Sequence, residues 1–204
     1  MDFKRLVARG YDIAAEQLAR ERGQGSGVAR WLAQLSETLP TGAQVLDLGC
    51  GAGVPHTAHL ARRLRVVGVD ISREQLRLAA RWVPDAQFIL ADMCSLHFPP
   101  ASFDAVTAIY SVIHVPRGEQ PGLLRSVRRW LKPSGRAFLV LGAGDTPIGF
   151  EPDWFGVPML WSHYDAETSR KMLEDAGFQV ISSALEADPL DPKGRHLFAL
   201  CRAA

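Results

Sequence analysis

The stretch VLDLGCGAGVP, Val45 to Pro55, passes from strand-forming residues into glycines spaced two apart, with one acid, Asp47, ahead of the break. Glycine reaches positive φ and lets a backbone approach a ligand closely, a freedom available at Gly49, Gly51 and Gly53. A helix-length segment, Pro55 to Arg63, follows directly. Amides of such a loop, and the helix N-terminus behind it, can face a bound group. In an open α/β sheet that group sits beyond the carboxyl ends of the strands. The stretch therefore reads as a nucleotide-binding turn at a sheet edge, the alternative being a purely structural turn.

Spacing narrows the choice of nucleotide. A dinucleotide fingerprint requires GxGxxG. Counted from Gly49 the third glycine position holds Val54, and counted from Gly51 it holds His56, so both registers fail. An acid, Asp70, still ends the next strand, where a carboxylate for ribose hydroxyls belongs. Nucleotide binding stands; a hydride-transferring cofactor is weakened.

Outward from this stretch, apolar runs alternate with helix-length segments. Strands are expected at AQVLDLG, RVVGVDI, AQFILAD, FDAVTAIYSVI and GRAFLVLG. Helices are expected at Pro55 to Arg63, Arg73 to Trp82 and Gln120 to Leu131. Near-continuous apolar strands suit a parallel sheet covered on both faces, and the alternation suits a doubly wound α/β fold. Two helical patterns come first, Phe3 to Glu21 and Val28 to Leu39, separated by the flexible stretch GQGSG. The segment from Asp145 to Asp165 is rich in aromatics and proline and has no clean periodicity. Past it, a helix from Ala166 to Ala176 stops at Gly177, and FQVISSALEAD and HLFALCR read as a hairpin joined by a Pro- and Gly-containing loop. So short a connection favours an antiparallel pair.

The whole chain sets bounds on function. Its 204 residues, 47% hydrophobic and 22% charged, suit one domain with an ample core. A net charge of +1 offers no basic field for nucleic acid. Cys50, Cys94 and Cys201 are scattered, which fits reduced thiols in the cytoplasm better than a disulfide framework or a zinc site. The charged N-terminus lacks the apolar stretch of a signal peptide, and no apolar run approaches the roughly 20 residues of a membrane helix. A soluble cytoplasmic protein is expected, with no metal.

Five stretches, taken in order, resemble the motifs of the class I S-adenosylmethionine-dependent methyltransferases, in particular the small bacterial type. LDLGCGAG is similar to the first motif, VVGVDIS to the second-strand motif, FILADM to the third, SFDAVTAIYSVIHV to the fourth, and RRWLKPSGRAFLVLG to the helix, turn and strand after it. LKPSG departs from the commoner LKPGG by one serine, Ser134. The resemblance implies a Rossmann-like, mostly parallel seven-stranded sheet with one antiparallel C-terminal strand. It implies S-adenosyl-L-methionine as cofactor, with S-adenosyl-L-homocysteine as product. Gly49, Cys50, Gly51 and Gly53 would lie under its methionine part, with Asp47 orienting the loop. Asp70, beside Ile71, would accept from the ribose hydroxyls. Asp92, beside Met93, would face the adenine amine, and Tyr110 would close the site after the fourth strand. Ionised carboxylates only accept hydrogen bonds, which suits both roles; Asp is also favoured at helix N-caps and turns, the competing reading for each.

The acceptor side draws candidates from three places. His114 has the intrinsic pKa of a base and follows the fourth strand, although a histidine there can equally orient the loop. Tyr11, in RGYDIAA, resembles a tyrosine that relatives fold over the cofactor, or is an ordinary half-buried helix residue. Residues 145–165 form either an acceptor lid, with His163 as a base, or a cover for the sheet edge or an oligomer contact. Residues 1–40 are expected to cap the domain. The expected activity is in-line methyl transfer to an oxygen, nitrogen or sulfur nucleophile of a small molecule, with no nucleic-acid or membrane partner. An oxidoreductase, or a silent binding module, is the competing class.

Overall fold

The computed structural model describes residues 2–21, 27–188, 191 and 194–204. Most of the expected GQGSG linker, and most of the Pro- and Gly-containing loop before Gly194, lie outside the described residues. The sequence alternation is realised as follows: helices α1 (Phe3–Glu21) and α2 (Val28–Glu37) lead into β1 (Gln44–Leu48), α3 (His56–Ala61), β2 (Arg65–Asp70), α4 (Arg73–Trp82) and β3 (Gln87–Leu90). Then come β4 (Phe103–Ala108), α5 (Gln120–Trp130), β5 (Leu131–Gly142), β6 (Thr146–Trp154), β7 (Val157–His163), α6 (Ala166–Asp175), β8 (Phe178–Ala187) and β9 (Arg195–Ala203).

Seven strands form one sheet in the order β3-β2-β1-β4-β5-β9-β8. β1 pairs in parallel with both β2 and β4, so the chain reverses its direction of travel across the sheet beside β1. Only β9 runs against the others, inserted between β5 and β8. The mostly parallel sheet with one antiparallel strand agrees with the fold expected from the motifs.

Side-chain alternation along the strands builds two cores, one per face. Leu46, Leu48, Val106, Leu139 and Leu197 point to one face and meet Trp130 of α5 and Leu173 of α6. Val45, Ala105, Phe138, Val140 and Phe198 point to the other and meet Trp31, Leu32 and Leu35 of α2. The period of two is hidden in the sequence because both faces are apolar. β3 differs: like β8 it is an edge strand, and its Ile89 and Leu90 are 36% and 45% exposed.

The segment 145–165 is not an irregular loop. β6 and β7 form an antiparallel ribbon outside the main sheet, closed by Phe155 and Gly156 at φ 53° and 79°. Two successive positive φ values give the tight turn that matches the twist of a hairpin. Apolar residues on one face of α1 (Val7, Tyr11, Ala14, Leu18) pack on Val157, Met159 and Leu160 of β7 to make a third, small core. Gly10 allows this close approach, since a Cβ there would sit 2.7 Å from Met159 Cε.

Candidate active site

The glycine loop follows β1 at the carboxyl edge of the sheet, and all three glycines have positive φ. Each serves a different contact. A Cβ on Gly49 would lie 2.2 Å from Ser111 Cβ, and one on Gly53 would lie 2.9 Å from Val83 Cγ2 and 3.4 Å from Ala79 of α4. These two let the loop pack on its neighbours. Gly51 is less crowded, a Cβ there meeting only Gln75 Oε1 at an ordinary contact distance of 3.5 Å. Gly49 and Gly51 border two cavities that meet at the loop, one of about 750 Å³ and one of about 60 Å³. Cys50 borders the larger; burial and the Asp70 and Asp47 carboxylates push its thiol well above the usual range.

Three acids organise this edge. Asp70 accepts from the amides of Gly51 (2.8 Å) and Ser72 (2.9 Å), one on each oxygen, and so holds the loop against the start of α4. Asp47 is buried and receives the hydroxyls of Thr57 and Thr107, each at 2.7 Å. Burial pushes its carboxyl up, against the opposing pull of those hydroxyls. Asp92 accepts from Cys94 N at 2.9 Å, which caps the short helical turn Met93–Ser95, and from Lys4 Nζ at 2.7 Å. An adenine amine would therefore share Asp92 with Lys4, a partner that neither spacing nor motif signals.

α1 crosses the smaller cavity. Lys4 bridges Asp92 and Glu119, and these carboxylates raise the Lys4 pKa despite burial that acts the other way. Two turns along, Asp12 accepts from Ser72 Oγ (2.6 Å) and from Glu74 N (3.1 Å) at the head of α4. Between them, Tyr11 reaches His114 with its hydroxyl 2.8 Å from Nε2. His114 Nδ1 lies 2.9 Å from the Leu160 carbonyl, which can only accept, so Nδ1 carries the proton and the neutral ring takes the Tyr11 proton's hydrogen bond on Nε2. Lys4, Asp12 and the hydrogen-bonded pair close α1 over Asp70, Ile71, Asp92 and Met93, which line the smaller cavity.

Tyr110 borders both cavities with φ at 53°, a left-handed conformation that is sparsely occupied by residues other than glycine. It turns the chain from β4 into the short helix Val112–His114. Gln120 ties that turn to the β6–β7 ribbon, its amide nitrogen lying within 3.1 Å of the carbonyls of Val112, Val115 and Ser162.

The ribbon walls the larger cavity. Trp154 packs edge-on against Tyr11 at 5.2 Å, and Trp161 lies 5.8 Å from the His114 ring. Of the aromatic-rich segment 145–165, Trp154, Trp161 and His163 line this cavity. Phe155 and Met159 pack with α1 instead, and Tyr164 lies beneath the Arg117 guanidinium at 4.9 Å. His163 Nδ1 contacts the Gly144 carbonyl, and burial lowers the pKa of its ring. Across Gly142 stands a residue that sequence reading missed, His196, whose Nε2 is 2.5 Å from Asp188 Oδ2. Nothing local marks it: it lies in a plain apolar strand run, and only the insertion of β9 beside β5 carries it to this edge.

A glycine loop set between two cavities, at the carboxyl edge of this sheet order, defines a Rossmann-like α/β nucleotide-binding domain. Residues 45–135 match the family model described as a methyltransferase domain. The chain is 40% identical over 117 residues to the methyltransferase GfsG of Streptomyces halstedii, covering 52% of this chain and 41% of that one. It is 30% identical over 175 residues to the 27-O-demethylrifamycin SV methyltransferase of Amycolatopsis mediterranei, covering 72% and 62%. The chain thus spans less than two thirds of the length of either relative. Its fold matches the 1,6-didemethyltoxoflavin-N1-methyltransferase of Burkholderia thailandensis, solved with its substrate and S-adenosylhomocysteine, at a TM-score of 0.72 and 21% identity, covering 97% and 87%. Residues 45–135 are thus similar in sequence to the methyltransferase-domain family, and the chain shares its fold with a methyltransferase solved with S-adenosylhomocysteine.

Proposed function

We propose that the chain transfers a methyl group from S-adenosylmethionine to a small-molecule acceptor bearing an oxygen, nitrogen or sulfur nucleophile. The observation that carries this reading is the pair of cavities meeting at Gly49 and Gly51, with Asp70 and Asp92 beside one and an aromatic ribbon over the other. When bound, the sulfonium supplies an already electrophilic methyl group, and the protein's share is alignment and exclusion of water.

The residues fit this cofactor. Gly51 presents backbone rather than side chain where the loop borders both cavities. Asp70, already held by two amides, is oriented to accept from ribose hydroxyls, and Asp92 to accept from an adenine amine in competition with Lys4. Ile71 and Met93 supply apolar contact on either side, and Asp47 acts through Thr57 and Thr107 as an anchor of the loop. The smaller cavity, about 60 Å³, adjoins the larger at Gly49, Gly51 and Tyr110, and α1 lies across it. Within residues 1–40, α1 thus acts as the cap, α2 packing on the sheet instead, and residues 145–165 act as the acceptor lid. Tyr11 stands in front of His114: a proton arriving at the phenol can pass to Nε2, whereas His114 reaches an acceptor only if Tyr11 moves.

Substrates named for the similar proteins, a rifamycin and a toxoflavin precursor, are small molecules, which supports that class of acceptor here. Calorimetric titration with S-adenosylhomocysteine checks the reading. Asp70→Ala is expected to weaken binding by about ten-fold or more, the worth of a hydrogen bond to a charged group. Unchanged affinity in a folded variant removes Asp70 from the cofactor site.

A further inference from the structure

Because β9 runs against its neighbours, its first residues reach the edge at which the parallel strands end. His196 there pairs in register with Gly142 of β5 and Glu186 of β8. The residue is 7% exposed, lines the larger cavity, and packs edge-on against Tyr110 at 5.1 Å. An ionised carboxylate only accepts, so the contact with Asp188 places the ring proton on Nε2 and leaves the lone pair of the neutral ring on Nδ1. Among the described residues Nδ1 has no hydrogen-bond partner and is enclosed in the empty cleft, so a bound molecule reaches it only when the His196 ring or the Tyr110 ring packed on it shifts. A donor supplied by a bound molecule removes the cost of that unsatisfied acceptor.

We propose that His196, oriented by Asp188, is the base that takes the proton of an aromatic hydroxyl acceptor bound in this cavity. The proposal rests on the methyl-transfer reading and deepens it. Aromatic walls at Phe150, Trp154 and Trp161, with Ile113, suit a planar apolar acceptor. A neutral amine carries its lone pair before any proton leaves, whereas a phenol is a poor nucleophile until it is deprotonated, so an oriented base serves the hydroxyl most. In the step, the O–H proton passes to Nδ1 and the freed oxygen pair forms the O–CH₃ bond. The electron pair of the S–CH₃ bond stays on sulfur, leaving a neutral thioether. The imidazolium is then balanced by Asp188 until its proton is lost to solvent. His163 is the poorer candidate: burial disfavours its charged form and charge on His196 repels a second proton there.

The test compares binding of 4-nitrophenol with that of its methyl ether, 4-nitroanisole, with and without S-adenosylhomocysteine. Wild-type protein is expected to prefer the phenol by about ten-fold, the worth of one hydrogen bond in a buried site. It should also show the nitrophenolate absorption band at a pH below the free phenol's pKa. His196→Gln should lose both the preference and the band while keeping its affinity for S-adenosylhomocysteine. As a positioning residue, Asp188 is read separately: ¹⁵N shifts should show His196 as the Nε2–H tautomer in wild type and as a mixture in Asp188→Ala. Equal binding of phenol and ether, absence of binding by both, or a band that persists in His196→Gln overturns the proposal. So does an Nδ1–H tautomer in wild type, a readout that stands even if His196→Gln does not fold. Failure of wild type to bind S-adenosylhomocysteine instead overturns the methyl-transfer reading itself.

Discussion

Tyr11 and His114 lie 103 positions apart and meet through one buried hydrogen bond. Tyr11→Phe keeps the ring that packs on Trp154 and deletes only the hydroxyl. If the pair relays a proton, turnover should fall about a hundred-fold, the lower bound for acid–base assistance, with little change in S-adenosylhomocysteine affinity. Full turnover would leave the tyrosine as packing alone. His163 gives a second reading at this scale, through pH. Its folded-state pKa lies below the ordinary 6.5, so the unfolded chain binds the extra proton. Stability is therefore complete above about pH 6.5 and declines as pH falls toward the lowered folded pKa. Urea melts across this range should show that decline, and His163→Gln should flatten it; an identical slope in the variant contradicts the assignment. Residues of this kind divide by how local their signal is. Asp70 and the three glycines were legible because a strand end and a turn are sequence-local features. Lys4 and Asp12 were not, since their partners come from elements distant in the chain, nor was the Asp188–His196 pair, which only the insertion of β9 beside β5 carries to this edge.

At the scale of elements, the β6–β7 ribbon was the main feature that sequence did not show. Its turn uses Phe155 rather than asparagine, aspartate or a second glycine at the first central position, so the usual hairpin signal is missing. Its burial also follows α1 and the cavity instead of a sheet face, which blurs the alternation. Strands buried on both faces were legible as apolar runs, while β3, similar in sequence, proved to be an exposed edge. The ribbon's seat on the sheet depends on Gly142, where a Cβ would come within 2.3 Å of both Cβ and Cγ of His163. Gly142→Ala should push His163 and the end of β7 away, costing about 1–3 kcal/mol as overpacking does. A chemical-denaturation midpoint equal to wild type would show that the ribbon is not held there. Ser134 raises a related point, since the serine that departs from LKPGG sits at φ 61°, where glycine fits without strain.

For the whole molecule, function follows from where the topology puts the ends of its strands. The reversal beside β1 opens the crevice for the glycine loop, and the inserted β9 brings its first residues back to that same edge. α1 and the ribbon then pack on each other above it, one over the smaller cavity and one beside the larger. Cofactor and acceptor would thus occupy adjoining halves of one cleft, divided at Gly49, Gly51, Tyr110 and His114. Asp70, Ile71, Asp92 and Met93 around the smaller cavity stood out in ordered motifs, whereas the walls of the larger depend on long-range packing that no motif encodes. A ligand that binds only the folded state adds stability by mass action, about 2.7 kcal/mol at a hundred times its Kd, so thermal melts give a first sign of occupancy. The most direct measurement is parallel calorimetry of the purified chain with S-adenosylhomocysteine and with NADH. The expected result is one molecule of S-adenosylhomocysteine per chain, no heat from NADH, and binding weakened about ten-fold or more by Asp70→Ala. Binding of NADH with none of S-adenosylhomocysteine would contradict the account.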